Sequence, residues 1–157
     1  MPGPAGAPYV TAAQLPNYFP AAAFNGITSG QQAQACIDAT GEADSRLSGR
    51  YQMPLLAWGA DLTKYTAWIA IYNLLSTRGF SPQGGADSNI IARYYEAVGN
   101  PNVPGSMGWF DRVQRQAIHP DITPTVASNV SPTYNLPQVF TSQQRGWACT
   151  INGKPVV

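Results

Sequence analysis

Charge is scarce in this sequence. Nine Lys and Arg and eight Asp and Glu make up 11% of 157 residues, against about 25% in a typical soluble domain. Charge normally coats the exposed face of a folded chain. Its shortage leaves two readings: a surface wetted by Gln, Asn, Ser and Thr, or a surface that meets other protein. The second is preferred. The net charge is +1, and Arg112 and Arg115 are the nearest approach to a basic cluster. A protein that grips a duplex needs several phosphate contacts and shows a basic patch, so sequence-specific nucleic-acid binding is not expected.

Histidine is almost missing. His119 is the only one, so a histidine-based triad, metal cluster or proton relay would have to rest on it alone. At a helix end it can meet the dipole favourably, and capping is the expected role. There are two cysteines, Cys36 and Cys149. A zinc site wants four clustered Cys, His or carboxylate ligands, and none are grouped here. Cys36 falls on an apolar helical stripe and reads as a small core residue. No disulfide to Cys149 is expected, and the usage fits a reducing compartment. No metal and no cofactor are expected.

Long apolar runs are also lacking. The longest, around Trp68 to Leu75, is interrupted by Asn73 and falls well short of the ~20 residues of a membrane span. The N-terminus has neither the basic region nor the apolar stretch of a signal peptide. The expectation is a soluble protein made in the cytoplasm. Catalytic patterns are missing too. Gly84-Gly85 is not followed by Gly-Lys-Ser/Thr, and there is no Gly-x-Ser-x-Gly elbow. Asp38 and Glu42, at i,i+4, share a helix face. Glycoside hydrolysis needs two carboxylates flanking a cleft, and two adjacent exposed side chains on one helix do not make one. No catalytic residue is assigned, and the chain is not expected to be an enzyme. A small hydrolase using Asp38, Glu42 or His119 is the weakest alternative.

What is present is helical periodicity followed by its loss. Residues 1–8, Met-Pro-Gly-Pro-Ala-Gly-Ala-Pro, read as a flexible leader. Thr11 can cap a short helix through Leu15 to about Phe19, with Pro16 near its start. Ser29 and Gln32 form a capping-box pattern. Apolar or small residues follow at Ala33, Cys36, Ile37, Thr40, Ala43, Leu47 and Tyr51, which predicts one buried face. Glu42 and Arg46 are spaced for an i,i+4 ion pair, and Pro54 stops the helix. Asp61 opens a third helix, Leu62 to Arg78, closed by Gly79. It is apolar nearly all round, as a central bundle helix is. A fourth helix, about Asp87 to Val98, would turn Ile90, Ile91, Tyr94, Tyr95 and Val98 inward. A fifth, about Ser106 to Ile118, would bury Phe110, Val113 and Ala117.

From His119 the period is gone. Residues 119–157 hold five prolines and three charged residues, Asp121, Arg145 and Lys154. Disorder usually couples low hydrophobicity to high charge, yet Val126, Val130, Tyr134, Leu136, Val139, Phe140, Trp147 and Ile151 recur throughout. Such a strip cannot build its own core but can bury these residues against something else. Fully extended it could reach on the order of 100 Å. The chain therefore reads as an all-α fold: a small bundle of four to five helices over 9–118, with a long extended C-terminal arm over 119–157. The alternative is a tail folded back on its own domain.

One stretch carries a family pattern. Tyr9, Thr11 and Leu15 give Tyr-x-Thr-x-x-x-Leu. Ile37-Asp38 is followed by Leu47-Ser48-Gly49-Arg50-Tyr51-Gln52-Met53-Pro54-Leu55, which contains Arg-Tyr-x-x-Pro-Leu. Ile69-Ala70-Ile71-Tyr72-Asn73-Leu74 gives Ile-Ala-x-Tyr-x-Leu, and Arg93 to Ala97 reads Arg-Tyr-Tyr-Glu-Ala. In this order and spacing, residues 9 to about 109 resemble the phage Mu gp36-like proteins, small head–tail connector proteins of tailed phages. Ile37, Leu47, Arg50, Tyr51, Pro54, Leu55, Ile69 and Tyr72 would form the structural core motif. The leader, and Trp147 to Val157, have no counterpart in the pattern, and Val139 to Gly146 echoes its end only loosely.

The resemblance implies an adaptor in the virion, at the head–tail interface. Neighbouring copies would form a ring, usually of twelve, beneath the portal protein. The lower face would receive the next neck or tail protein, and the lumen would pass DNA. Its C-terminal segment would dock into the portal, with Tyr134, Leu136, Val139, Phe140 and Trp147 as the anchors. The other structural reading is a different neck component, a stopper or tail-completion protein, or a capsid accessory protein.

Overall fold

The computed structural model describes residues 6–77, 79, 85–124, 150, 151, 154 and 155. The chain divides into two compact units, Met1–Val126 and Ala127–Val157. Among its described residues the first holds four α-helices: α1 (Ser29–Leu47), α2 (Ala60–Ser76), α3 (Gly85–Val98) and α4 (Trp109–Gln114). It also holds two strands, β1 (Leu55–Trp58) and β2 (Ile122–Pro124). In the second unit, β3 (Thr150–Ile151) and β4 (Lys154–Pro155) pair antiparallel.

The chain enters through two 3-10 segments, Ala12–Asn17 and Ala21–Phe24, rather than one α-helix. Pro16 and Pro20 explain this: neither can donate a backbone N–H, so a continuous α ladder is not available. Leu15 and Phe24 still reach the core.

The N-cap of α1 lies one residue before the expected Ser29. Thr28 Oγ1 accepts from the Gln31 amide at 3.2 Å, and Gln31 Oε1 accepts from the Thr28 amide at 2.9 Å. Both Thr28-x-x-Gln31 and Ser29-x-x-Gln32 fit the capping box. The backbone of Thr28 is extended and takes the cap, while Gln32 reaches back to the Ile27 carbonyl at 3.2 Å.

The buried face of α1 is Ala35, Cys36, Ala39, Ala43 and Leu47. Ile37 and Ala33 are exposed, Ile37 at 53%, which corrects the expected face and removes Ile37 from the core. At 100° per residue Ile37 points away from the line through Ala39 and Ala43. Alanines on that line let α2 come close, which a larger side chain would prevent. Cys36 is buried as expected, and burial pushes its thiol up to about 11.

The central helix is α2. Most residues from Leu62 to Leu75 are buried, with Thr63, Lys64, Tyr72 and Asn73 half-buried, and the helix packs against both α1 and α3. Leu62, Ile69, Ala67 and Ala70 have no exposure at all. Trp109, Phe110 and Val113 of α4 close one end of the core. Ala117, expected inward, lies beyond that short helix and is exposed.

The all-α expectation needs one correction: β1 and β2 form a small antiparallel sheet, with Trp58 opposite Ile122 and Leu55 opposite Pro124. A bulge between Leu55 and Ala57 turns Leu56 outward. Residues 122–124 thus belong to the first unit, which runs past the expected 118/119 boundary. The Gly59 amide donates to the Asp121 carbonyl at 2.7 Å and extends this tie.

Two substitutions test this packing. Thr66 is fully buried in α2 and its hydroxyl has no partner among the described residues. An unsatisfied buried hydroxyl costs about 1–3 kcal/mol, so Thr66→Val, nearly isosteric, is expected to raise the urea midpoint. A Cβ at Gly108 would collide with the backbone of Ala97, Val98 and Gly99. Gly108→Ala is therefore expected to lower stability by about 2 kcal/mol or more, read from the same unfolding curves.

Candidate interaction surface and its scaffold

Of the arm residues expected to bind a partner, Tyr134, Leu136, Val139, Phe140 and Trp147 all lie outside the described residues. The core-motif residues lie inside and divide by role. Leu47, Leu55 and Ile69 are buried. Tyr51 and Tyr72 are half-buried, and Pro54 is exposed, just after a cis peptide bond from Met53.

Arg50 has the most specific task. Its Nη1 donates to the carbonyls of Val113 and, at 3.4 Å, Ile118. Its Nη2 donates to His119 Nδ1 at 3.0 Å. The guanidinium also lies 5.2 Å from the Tyr51 ring centroid. A planar fork with several donors can span these acceptors at once, and an ammonium cannot. Arg50 therefore joins the end of α1 to the end of α4. Nearby, Gln114 Nε2 donates to the Arg46 carbonyl across the same junction. The expected capping role of His119 is not observed. The helix stops at Gln114, where Gln116 takes a left-handed φ of 60°. The Ala117 amide then donates to the Arg112 carbonyl at 2.9 Å, and the Gln116 amide to Val113 at 3.1 Å. That is the Schellman pattern, usually built on glycine. The helix-end cation is Arg50, and His119 accepts from it.

The Tyr-x-Thr segment docks the N-terminus on α1. The Tyr9 hydroxyl donates to Asp44, and its amide donates to Thr40 Oγ1 at 3.1 Å. Its ring meets the Trp58 edge at 4.8 Å. Burial, reinforced by the Asp44 carboxylate, holds the Tyr9 phenol well above its ordinary pKa. It stays a neutral donor.

Two aromatic pairs hold α3 and α4 to α2. Tyr65 stacks on Trp109 at 4.7 Å, and Tyr72 on Tyr94 at 4.0 Å. Burial raises the pKa of both Tyr65 and Tyr94. Over this layer sit cations: Lys64 Nζ lies 4.6 Å from the Trp68 ring and Arg93 Cζ 5.0 Å from it. Such contacts contribute about 0.5–1 kcal/mol at exposed sites.

Candidate chemical groups are otherwise committed. Glu42 accepts from Arg46 at 3.0 Å, the expected i,i+4 pair, and Asp38 accepts from Gln34 at 2.8 Å. No group of three or more His, Cys, Asp or Glu able to hold a metal ion occurs among the described residues. No described helix is long and apolar enough to cross a membrane. Among the described residues, Ile37, Leu56, Val103 and Met107 are the large apolar side chains left exposed. Trp58, Trp109 and the Tyr9–Asp44 tie were missed in the sequence. Only the Trp109-Phe110 pair after Gly108 gave a signal, a double aromatic opening a short helix.

The ties made by Tyr9, Arg50, Tyr51, Ile69 and Tyr72 are those of the motif set quoted from the sequence. The family described as Bacteriophage Mu, Gp36 matches residues 9–100, more than half of the chain. The chain belongs to this Gp36 family. It is thus a phage protein, and the matched region ends just before the loop leading to α4. No curated protein and no solved structure matches. Within the Gp36 unit, the Arg-Tyr-x-x-Pro-Leu motif acts as a scaffold element: it closes one end of the helical core.

Loss of that closure is measurable. Arg50→Ala removes the charged donor that joins the end of α1 to the Val113 and Ile118 carbonyls and is expected to cost about 1–3 kcal/mol, with Arg50→Lys recovering only part of it. Equal unfolding midpoints for Arg50→Ala and the native chain would remove Arg50 from this role.

Proposed function

We propose that this Gp36-family chain is a structural head–tail connector subunit of a tailed bacteriophage. Copies form a ring beneath the portal protein and leave a channel for DNA, and residues beyond 126 supply the anchors for the portal. The chain acts by assembly and not by catalysis. Its place is the virion, between the head and the next neck or tail protein.

The observation that carries this reading is family membership over residues 9–100. Three features support it. The helical unit closes its own core, with Phe110, Leu15, Leu47, Leu62 and Ile69 fully buried. The residues after it, 127–157, are rich in aromatic and aliphatic side chains and nearly free of charge. Such side chains dominate the energetics of protein interfaces. The glycoside-type carboxylate pair is also spoken for, since Glu42 is engaged by Arg46.

The strand pairing decides where to cut. A chain ending at 126 keeps β2, and one ending at 119 loses it. The 1–126 protein is expected to keep the helical circular dichroism and cooperative melt of the full chain, and to lose portal binding in a pull-down. The 1–119 protein should melt at a lower temperature. Full portal affinity in the 1–126 protein would overturn the role given to the arm.

A further inference from the structure

A groove runs between the first half of α1 and the last turns of α2, with a volume of about 440 Å³. Ile27, Ala35 and Leu74 give it an apolar part, four amide and hydroxyl side chains a polar one, and Asp38 is its one charged lining residue. A trough of mixed polarity with a single carboxylate suits a long cationic side chain, whose methylenes cover the apolar part while its head reaches the acid. Among the described residues Asp38 has no cationic partner; Gln34 alone donates to it. Beside it Ile37 is 53% exposed.

The complementary feature lies on α2 and α3. Lys64 lies over the rings of Trp68 and Tyr65 at 4.6 and 5.0 Å, and has no carboxylate partner among the described residues. Arg93 shares the Trp68 ring, and its only ion pair, to Glu96 at 3.3 Å, is exposed. Aromatic contact holds both cations in place, so less freedom is lost when they engage an acid. Lys64 and Asn73 are nine residues apart on α2, about two and a half turns, and so face opposite sides of it. One copy cannot bring the two patches together.

We propose that the Lys64–Arg93 side of one copy enters the Asp38 groove of the next, with Ile37 packed at the contact. This rests on the ring reading above and names its seam. Two different patches that recognise each other make a head-to-tail contact, and repetition closes a ring if the rotation allows. In a chain with so few charges, Asp38 on α1 and Lys64 on the far side of α2, each without an ion partner among the described residues, favour a second copy as the occupant. A basic segment of another protein is the competing occupant.

Charge exchange tests this. The full chain, alone and with portal, is sized by light scattering and imaged by negative stain, with the melt of each variant recorded. Asp38→Lys and the pair Lys64→Glu with Arg93→Glu are each expected to lose the ring while keeping a native melt. If Lys64→Glu lowers the melt, Arg93→Glu alone takes its place. Mixing the two ring-deficient proteins places an acid opposite a cation at every seam, and is expected to restore the ring. Rings formed by Asp38→Lys alone would overturn the seam and leave the ring reading standing. Loss of the ring without recovery on mixing would also overturn it, and would give the groove to a different basic partner. A native chain that never forms rings, with or without portal, would overturn both.

Discussion

A helix that is apolar over most of its surface has to be largely surrounded, and α2 imposes that demand on the whole first unit. α1 meets it with alanines at 35, 39 and 43, which permit a close approach. α3 and α4 meet it with stacked aromatics, Tyr94 on Tyr72 and Trp109 on Tyr65. The remaining structure secures the ends of this packing. Tyr9 pins the N-terminal segment to Thr40 and Asp44. The β1–β2 pair holds the entry to α2 beside Asp121. Arg50 ties α1 to α4. None of these elements would be stable without the burial around α2, because short helices and two-stranded sheets are marginal in water.

The parts legible in the sequence are those set by local periodicity. The long helices α1 and α2 stood out because apolar spacing and breakers agree over many residues. The errors have physical causes. Ile37 reads as inward because it is a large aliphatic side chain beside the stripe, but the buried face follows the four-residue line of alanines. The cap fell on Thr28 because two overlapping motifs fit equally well. β1 and β2 were missed because each is short, and their pairing joins residues more than sixty positions apart. His119 was given a helix end that Arg50 occupies through tertiary contact, and no local pattern encodes that. The candidate site was less legible than the fold. The motif residues were recognised as a set, but their structural division of labour depends on which backbone carbonyls lie within reach. The expected anchors of the arm lie outside the described residues.

The functional reading joins a closed helical unit to a chain segment of opposite character. Residues 9–100 carry the family likeness, and motif residues within them tie the N-terminal segment to α1 and the end of α1 to the end of α4. The low charge of the chain fits the same picture.

The central claim is that residues beyond 126 bury their apolar side chains on the portal while the helical unit stays as it is. Hydrogen exchange followed by mass spectrometry, on the full chain with and without portal, measures this directly. Peptides covering 127–149 are expected to gain protection when portal is added, and α2 peptides to remain unchanged. Binding that leaves 127–149 unaltered, or that shifts protection only in α1 and α2, would contradict it.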